Sequence, residues 1–69
     1  MMWNEITGKY YNPEQCVFFY NAAQSAAYAF RGGAEIKAIL PSDDKEKFIF
    51  AFSKKDHARL KKAWADHTL

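Results

Sequence analysis

Three side chains in this sequence have the chemistry of a metal ligand or of a nucleophile with its base: Cys16, His57 and His67. Their spacing argues against both uses. The two histidines fall ten positions apart on what reads as one helix, about 15 Å along its axis. A single ion cannot bridge them within a subunit, and no Cys-x-x-Cys or His-x-x-x-His spacing occurs. The expectation is therefore no metal and no cofactor. Cys16 belongs to an apolar run whose central strand position offers no helix N-terminus and no cationic neighbour to lower a thiol pKa, so a buried, inert thiol is expected. Ser25 and Ser53 occupy helical or capping positions with no implied acid–base partner. Gly32 and Gly33 follow a helix, whereas the glycines of a phosphate cradle lead into one. Asp43 and Asp44 share a turn with Lys45, which suits a solvated loop. The residue chemistry points away from an enzyme.

Surfaces for binding remain. Between Lys54 and Lys62 there are five positive residues and one acid. Lys55, Arg59 and Lys62 share one face of a helix there, with Lys54 and Lys61 forming an adjacent stripe. Lys54, Lys55, Arg59 and Lys62 are the candidate contacts to a nucleic acid or an acidic partner. Lysines in the first turn oppose the helix dipole, a small cost that hints at a use other than stability. No aromatic residues interleave with them, so stacking on single strands is not supported. The other candidate surface is aromatic: Trp3, Tyr10, Tyr11 and Tyr28 are the expected protein-contact residues.

The elements that must position these residues can be read from the pattern. Ile6–Tyr11 reads as a short edge strand weakened by Gly8. Asn12-Pro13 marks a turn or helix start. Cys16–Tyr20 is a β-prone run without a polar stripe, which argues for a strand. Asn21 and Gln24 form a capping pair for a helix over 22–31 that ends at Gly32 or Gly33. At 100° per residue, Ala23, Ala26, Ala27 and Phe30 share a face, so Phe30 is expected to anchor this helix, with Tyr28 pointing away. Residues 34–40 alternate as a strand, Ile36, Ala38 and Leu40 on one side. After the turn 41–45, the phenylalanines at 48, 50 and 52 alternate as a second strand, antiparallel to the first. Ser53 caps the last helix, whose inner face carries His57, Leu60, Ala63, Trp64 and His67.

The fold class that follows is α+β, in the order β-α-β-β-α: a small, mostly antiparallel sheet packed with two helices, and an additional N-terminal strand within residues 1–15. The 69 residues make one small domain. A domain of this size buries only about 60% of the surface its unfolded chain exposes. Twelve aromatic rings offset that, and the number exceeds what one small core needs. A surplus left outside suggests self-association or a partner. Lys and Arg total 10 against 8 Asp and Glu, a net charge of +2, neither a polybasic arm nor an acidic mimic of DNA. A single cysteine fits a reducing compartment. No run approaches the roughly 20 apolar residues that span a bilayer, and no leader pattern opens the chain. A cytoplasmic location and no membrane partner are expected.

Residues 20–69 resemble a family of small uncharacterised phage, prophage and mobile-element proteins of bacteria. The residues that carry the resemblance are Asn21, Gln24, Tyr28, Gly33, the Phe48–Phe52 strand, and Trp64, His67 and Leu69. The double alanine after Asn21 and the longer 41–45 turn depart from that pattern. The resemblance implies a bacterial mobile-element context and no reaction. The function expected is a non-enzymatic protein-interaction module, possessing a protein partner or a second copy of itself. The alternative is a small nucleic-acid-binding protein that uses the basic C-terminal helix.

Overall fold

The computed structural model describes residues 1–69 and shows an α+β fold with five strands and two helices. An N-terminal hairpin pairs Met2–Asn4 (β1) with Lys9–Tyr11 (β2), antiparallel. A second, three-stranded sheet contains Cys16–Phe19 (β3), Ala38–Pro41 (β4) and Phe48–Ser53 (β5), in the order β3-β5-β4 and antiparallel throughout. The helices are Ala22–Ala26 (α1), which runs on into a π-helical turn at Ala27–Arg31, and Lys54–Ala65 (α2). The sheet is the middle layer, with both helices on one face and the hairpin on the other.

Local chemistry sets the boundaries. Asn12 caps a single 3-10 turn, Pro13–Gln15, by accepting from Glu14 N–H at 3.1 Å, and the β-prone run then takes over as β3. Asn21 accepts from Gln24 N–H at 3.0 Å to start α1. Ser53 accepts from Asp56 N–H at 3.0 Å to start α2. Gly33 is the left-handed residue that ends the π turn, at φ 66°. Gly32 serves a different purpose: a Cβ there would lie 2.6 Å from Leu60 Cδ1, so its bare backbone lets α2 close against the turn.

Three expectations are corrected, two about inside and outside and one about the N-terminal element. The first concerns the helix over 22–31. Its buried residues are Ser25, Ala27 and Tyr28, while Phe30 is 88% exposed. Gly32 N–H bonds to Ala27 C=O, five residues back, and this wider turn changes the rotation that a regular α-helix would give. Tyr28 turns inward, where its hydroxyl finds partners, and Phe30 turns out.

The second concerns residues 34–40, of which only 38–41 pair as a strand. Lys37 N–H bonds to the carbonyl of Ala51, although Ala51 stands opposite Ala38. Two residues thus face one, as in a bulge, and the alternation slips by one position. Ile36 packs on the helix side, Ala38 on the hairpin side. The third concerns the N-terminus. Gly8 belongs to a turn, at φ 69°, and the single edge strand expected over Ile6–Tyr11 is a hairpin beginning at Met2.

Two cores result. On the helix side Tyr28, Phe52, Ala34 and Leu60 are buried, with Phe19, Phe50 and Trp64 packed around them. Ring centroids of Phe19, Tyr28 and Phe52 lie 5.5–5.9 Å apart, the separation at which edge-to-face and tilted pairs gain over simple burial. On the hairpin side Tyr11 covers Cys16, Ala38 and Ala51.

Candidate functional site

The aromatic residues expected at an interface separate into two groups. Trp3 and Tyr10 stand opposite each other in the hairpin register, on its outer face. Their ring centroids are 5.0 Å apart at 64°, and the residues are 52% and 64% exposed. The hairpin presents them because strand residues alternate: Asn4 and Tyr11, on the other face, turn toward the sheet and are buried. Tyr11 and Tyr28 are therefore corrections. Tyr11 is the lid of the smaller core, and Tyr28 is completely buried in the larger one.

Tyr28 Oη accepts from Gln24 Nε2 at 3.2 Å and lies 2.9 Å from His57 Nδ1. The hydroxyl thus joins the Gln24 amide to the imidazole, and which of the two partners donates in the Tyr28–His57 bond follows the His57 tautomer. Gln24, Tyr28 and His57 form a polar chain, buried at Tyr28 and half-buried at its two ends, whose geometry ties α1, the π turn and α2 together. The resemblance residues Asn21, Gln24, Tyr28 and Gly33 thus act as caps, a tether and a helix stop.

Asn4 is the residue of structural consequence that sequence reasoning missed. It is buried, and its Nδ2 donates to Ile39 C=O at 2.9 Å while its Oδ1 accepts from Ile39 N–H at 3.2 Å. One side-chain amide thereby imitates a neighbouring strand along the outer edge of β4. Oδ1 also accepts from Thr7 N–H and Thr7 Oγ1, which fixes the hairpin turn. The available signal was Asn-x-x-Thr ahead of a glycine, a pattern for a side-chain-supported turn.

The basic residues do not act as one face. Lys54, Lys55, Arg59 and Lys62 are all exposed. The Arg59 guanidinium, however, is engaged: it donates to Gly32 C=O at 2.9 Å and to Asp56 at 3.1 Å. Lys54 and Lys55 line an open cleft of about 490 Å³ together with Lys37, Gln15, Ser53 and Glu14. Lys37 reaches this cleft from the bulge before β4 and also bonds to Glu35 at 2.9 Å. Glu35 is held between Lys9 and Lys37, which lowers its carboxyl pKa to about 2.

Cys16 is buried beside Lys37 and Lys54 on a strand at the edge of the sheet, which corrects the expectation of a central strand position with no positive neighbour. Burial raises its thiol pKa, and Lys37 and Lys54 offset that only in part. Cys16 lies on the hairpin face of the sheet and His57 in the helix-side cluster. His67 lies exposed beyond the end of α2, at φ 59°, not on the inner face expected of it. The fold does not gather the three into one site. No helix is long and apolar enough to cross a membrane.

No family model, curated protein or solved structure matches the chain.

Proposed function

We propose that this protein is a non-enzymatic interaction module, an accessory protein of a phage or mobile element acting in the bacterial cytoplasm through protein contacts. The observation that carries the reading is the exposed apolar surface. Nine large hydrophobic residues of 69 are more than two-fifths exposed, among them the edge-to-face pair Trp3 and Tyr10. Scattered single residues of this kind are ordinary, but a Trp and a Tyr paired on the outer face of one hairpin form an anchor of the sort found at interface centres. The mobile-element context rests on the sequence resemblance over residues 20–69.

The test is capture of a bacterial protein by the immobilised chain, repeated with the Trp3→Ala/Tyr10→Ala double variant after circular dichroism shows the same fold. Capture that the double variant loses supports the reading. Capture that both chains share equally, or that neither shows, overturns it for this surface.

A second reading is anion or nucleic-acid binding, favoured by the convergence of Lys37, Lys54 and Lys55 on a cleft with no apolar lining. It requires retention on DNA or RNA at low salt that falls steeply as salt rises. It further requires that Lys54→Glu/Lys55→Glu remove that retention without unfolding the chain.

A further inference from the structure

We propose that the outer edge of β3 pairs with β3 of a second copy, antiparallel and centred on Phe18, so that two three-stranded sheets become one of six strands. This rests on the interaction-module reading and names a partner for a surface away from Trp3 and Tyr10.

The hydrogen-bond phase of the sheet carries the argument. Ile39 N–H and C=O both bond to Asn4, so they point away from β5. In an antiparallel pair, the residue opposite then also points its backbone groups away. That residue is Phe50, so the Phe50 groups face β3 and bond to Phe19. The backbone groups of Phe18, one position along, must point out of the sheet. No turn, cap or side-chain hydrogen bond of the molecule uses them. Cys16 N–H is taken by Pro13 C=O, while Cys16 C=O and Tyr20 N–H are free.

This edge is complementary to itself. A two-fold axis at Phe18 lets its N–H and C=O bond to those of the other Phe18, and brings Tyr20 N–H of each copy to Cys16 C=O of the other. Such an axis demands a donor and an acceptor on one central residue, which Phe18 has. Cys-Val-Phe-Phe also carries none of the devices that keep sheet edges apart: no charge, no proline and no bulge. The opposite edge, β4, is closed by Asn4 and ends in Pro41. Phe18 is 43% exposed, and pairing places the two Phe18 rings side by side. The strand is short, well below a standard interface of about 800 Å² per partner, so the dimer is a weak one, populated at high-micromolar concentration.

Sedimentation equilibrium of the whole chain tests this. The wild type is expected to approach twice the monomer mass as concentration rises, and Phe18→Lys to stay monomeric with an unchanged circular dichroism spectrum. Cross-linking reads the register. In a Cys16→Ser background, Phe18→Cys puts two thiols on α-carbons about 5.5 Å apart, a separation a disulfide spans. Tyr20→Cys puts them roughly 14 Å apart at 3.4 Å per residue. Mild oxidation should link the first variant and leave the second unlinked. A wild type that is monomeric throughout, or equal linking of both variants, overturns the proposal. Partner capture that depends on Trp3 and Tyr10 and survives in a monomeric chain would leave the interaction reading standing without the dimer. Capture that Phe18→Lys abolishes in a monomeric chain would assign the edge to a strand of another protein and likewise overturn the second copy as occupant.

Discussion

On the helix side of the sheet the space is filled by rings. Tyr28 and Phe52 are fully buried, Phe19 packs edge-on or tilted against both, and His57 lies tilted against Tyr28. On the hairpin side the sheet contributes Cys16, Ala38 and Ala51, and only one ring, Tyr11, lies over them. Small residues there let the hairpin approach closely, but they offer little area. The hairpin is held instead by directional bonds: Asn4 to Ile39, and Lys9 to Glu35 at 2.7 Å. Burial is non-directional and shared by many contacts, whereas a polar clasp concentrates its contribution in one or two groups. The helix side should therefore determine whether the chain folds at all, and the hairpin side whether residues 1–11 stay docked.

Replacing Tyr28 is the most severe way to break this contrast. Tyr28→Ala should cost about 3–5 kcal/mol, as for other large ring deletions. A 69-residue domain has roughly 3–10 kcal/mol in all, so thermal denaturation should show most of the cooperative transition lost. Tyr28→Phe keeps the ring and strips partners from Gln24 and His57, and should cost about 1–3 kcal/mol. Equal losses from the two variants would mean that the polar chain, not the ring, carries this side.

Asn4→Leu comes next. It leaves Ile39 N–H and C=O without their partner, a local loss of about 2–6 kcal/mol if each unsatisfied group costs within the usual range. Hydrogen exchange should quicken at Ile39 and through β1 and β2 while the amides of β5 and α2 keep their protection. Uniform acceleration across the chain would erase the distinction between the two sides.

The smallest effect is expected from acid. Glu35 is ionised down to about pH 2 when folded, against an ordinary value of 4.5. Its folded pKa is depressed, so its contribution is complete above pH 4.5 and disappears as pH falls from there toward 2. The side chain is 55% exposed, and solvent screening keeps the contribution below about 1 kcal/mol. Glu35→Gln should flatten that part of the acid-stability curve, read by fluorescence of Trp3. An unchanged acid profile would leave Asn4 as the sole clasp.

The strands of the main sheet and both helices were legible in the sequence because their signals are local: period-two phenylalanines, a proline turn, and capping at Asn21 and Ser53. The antiparallel pairing of β4 with β5 followed from the short connection between them. What was not legible depends on one-residue changes of phase. The π turn reversed the roles of Tyr28 and Phe30, and the bulge at Lys37 divided Ile36 from Ala38. No propensity announces either; they are set by which side chains find partners after the layers meet. Asn4 was unreadable for the same reason, since its partner, Ile39, lies 35 positions away. Of the candidate site, Trp3, Tyr10 and the basic residues of α2 lie exposed, while Tyr11 and Tyr28 are buried. The engagement of Arg59 by the Gly32 carbonyl required the fold.

The extra residue at Lys37 works as a frameshift in the side-chain code of a strand. Upstream of it, odd and even positions mean one thing; downstream, the other. A chain lengthened by one further residue between Ile36 and Lys37 would keep every apolar letter and every capping signal. Yet it would deliver Ile36 to the side roofed by Tyr11, where alanines leave no room, and withdraw it from Phe50. Length in this segment is thus held more tightly than identity: swaps of one aliphatic for another should be tolerated where such an insertion is not.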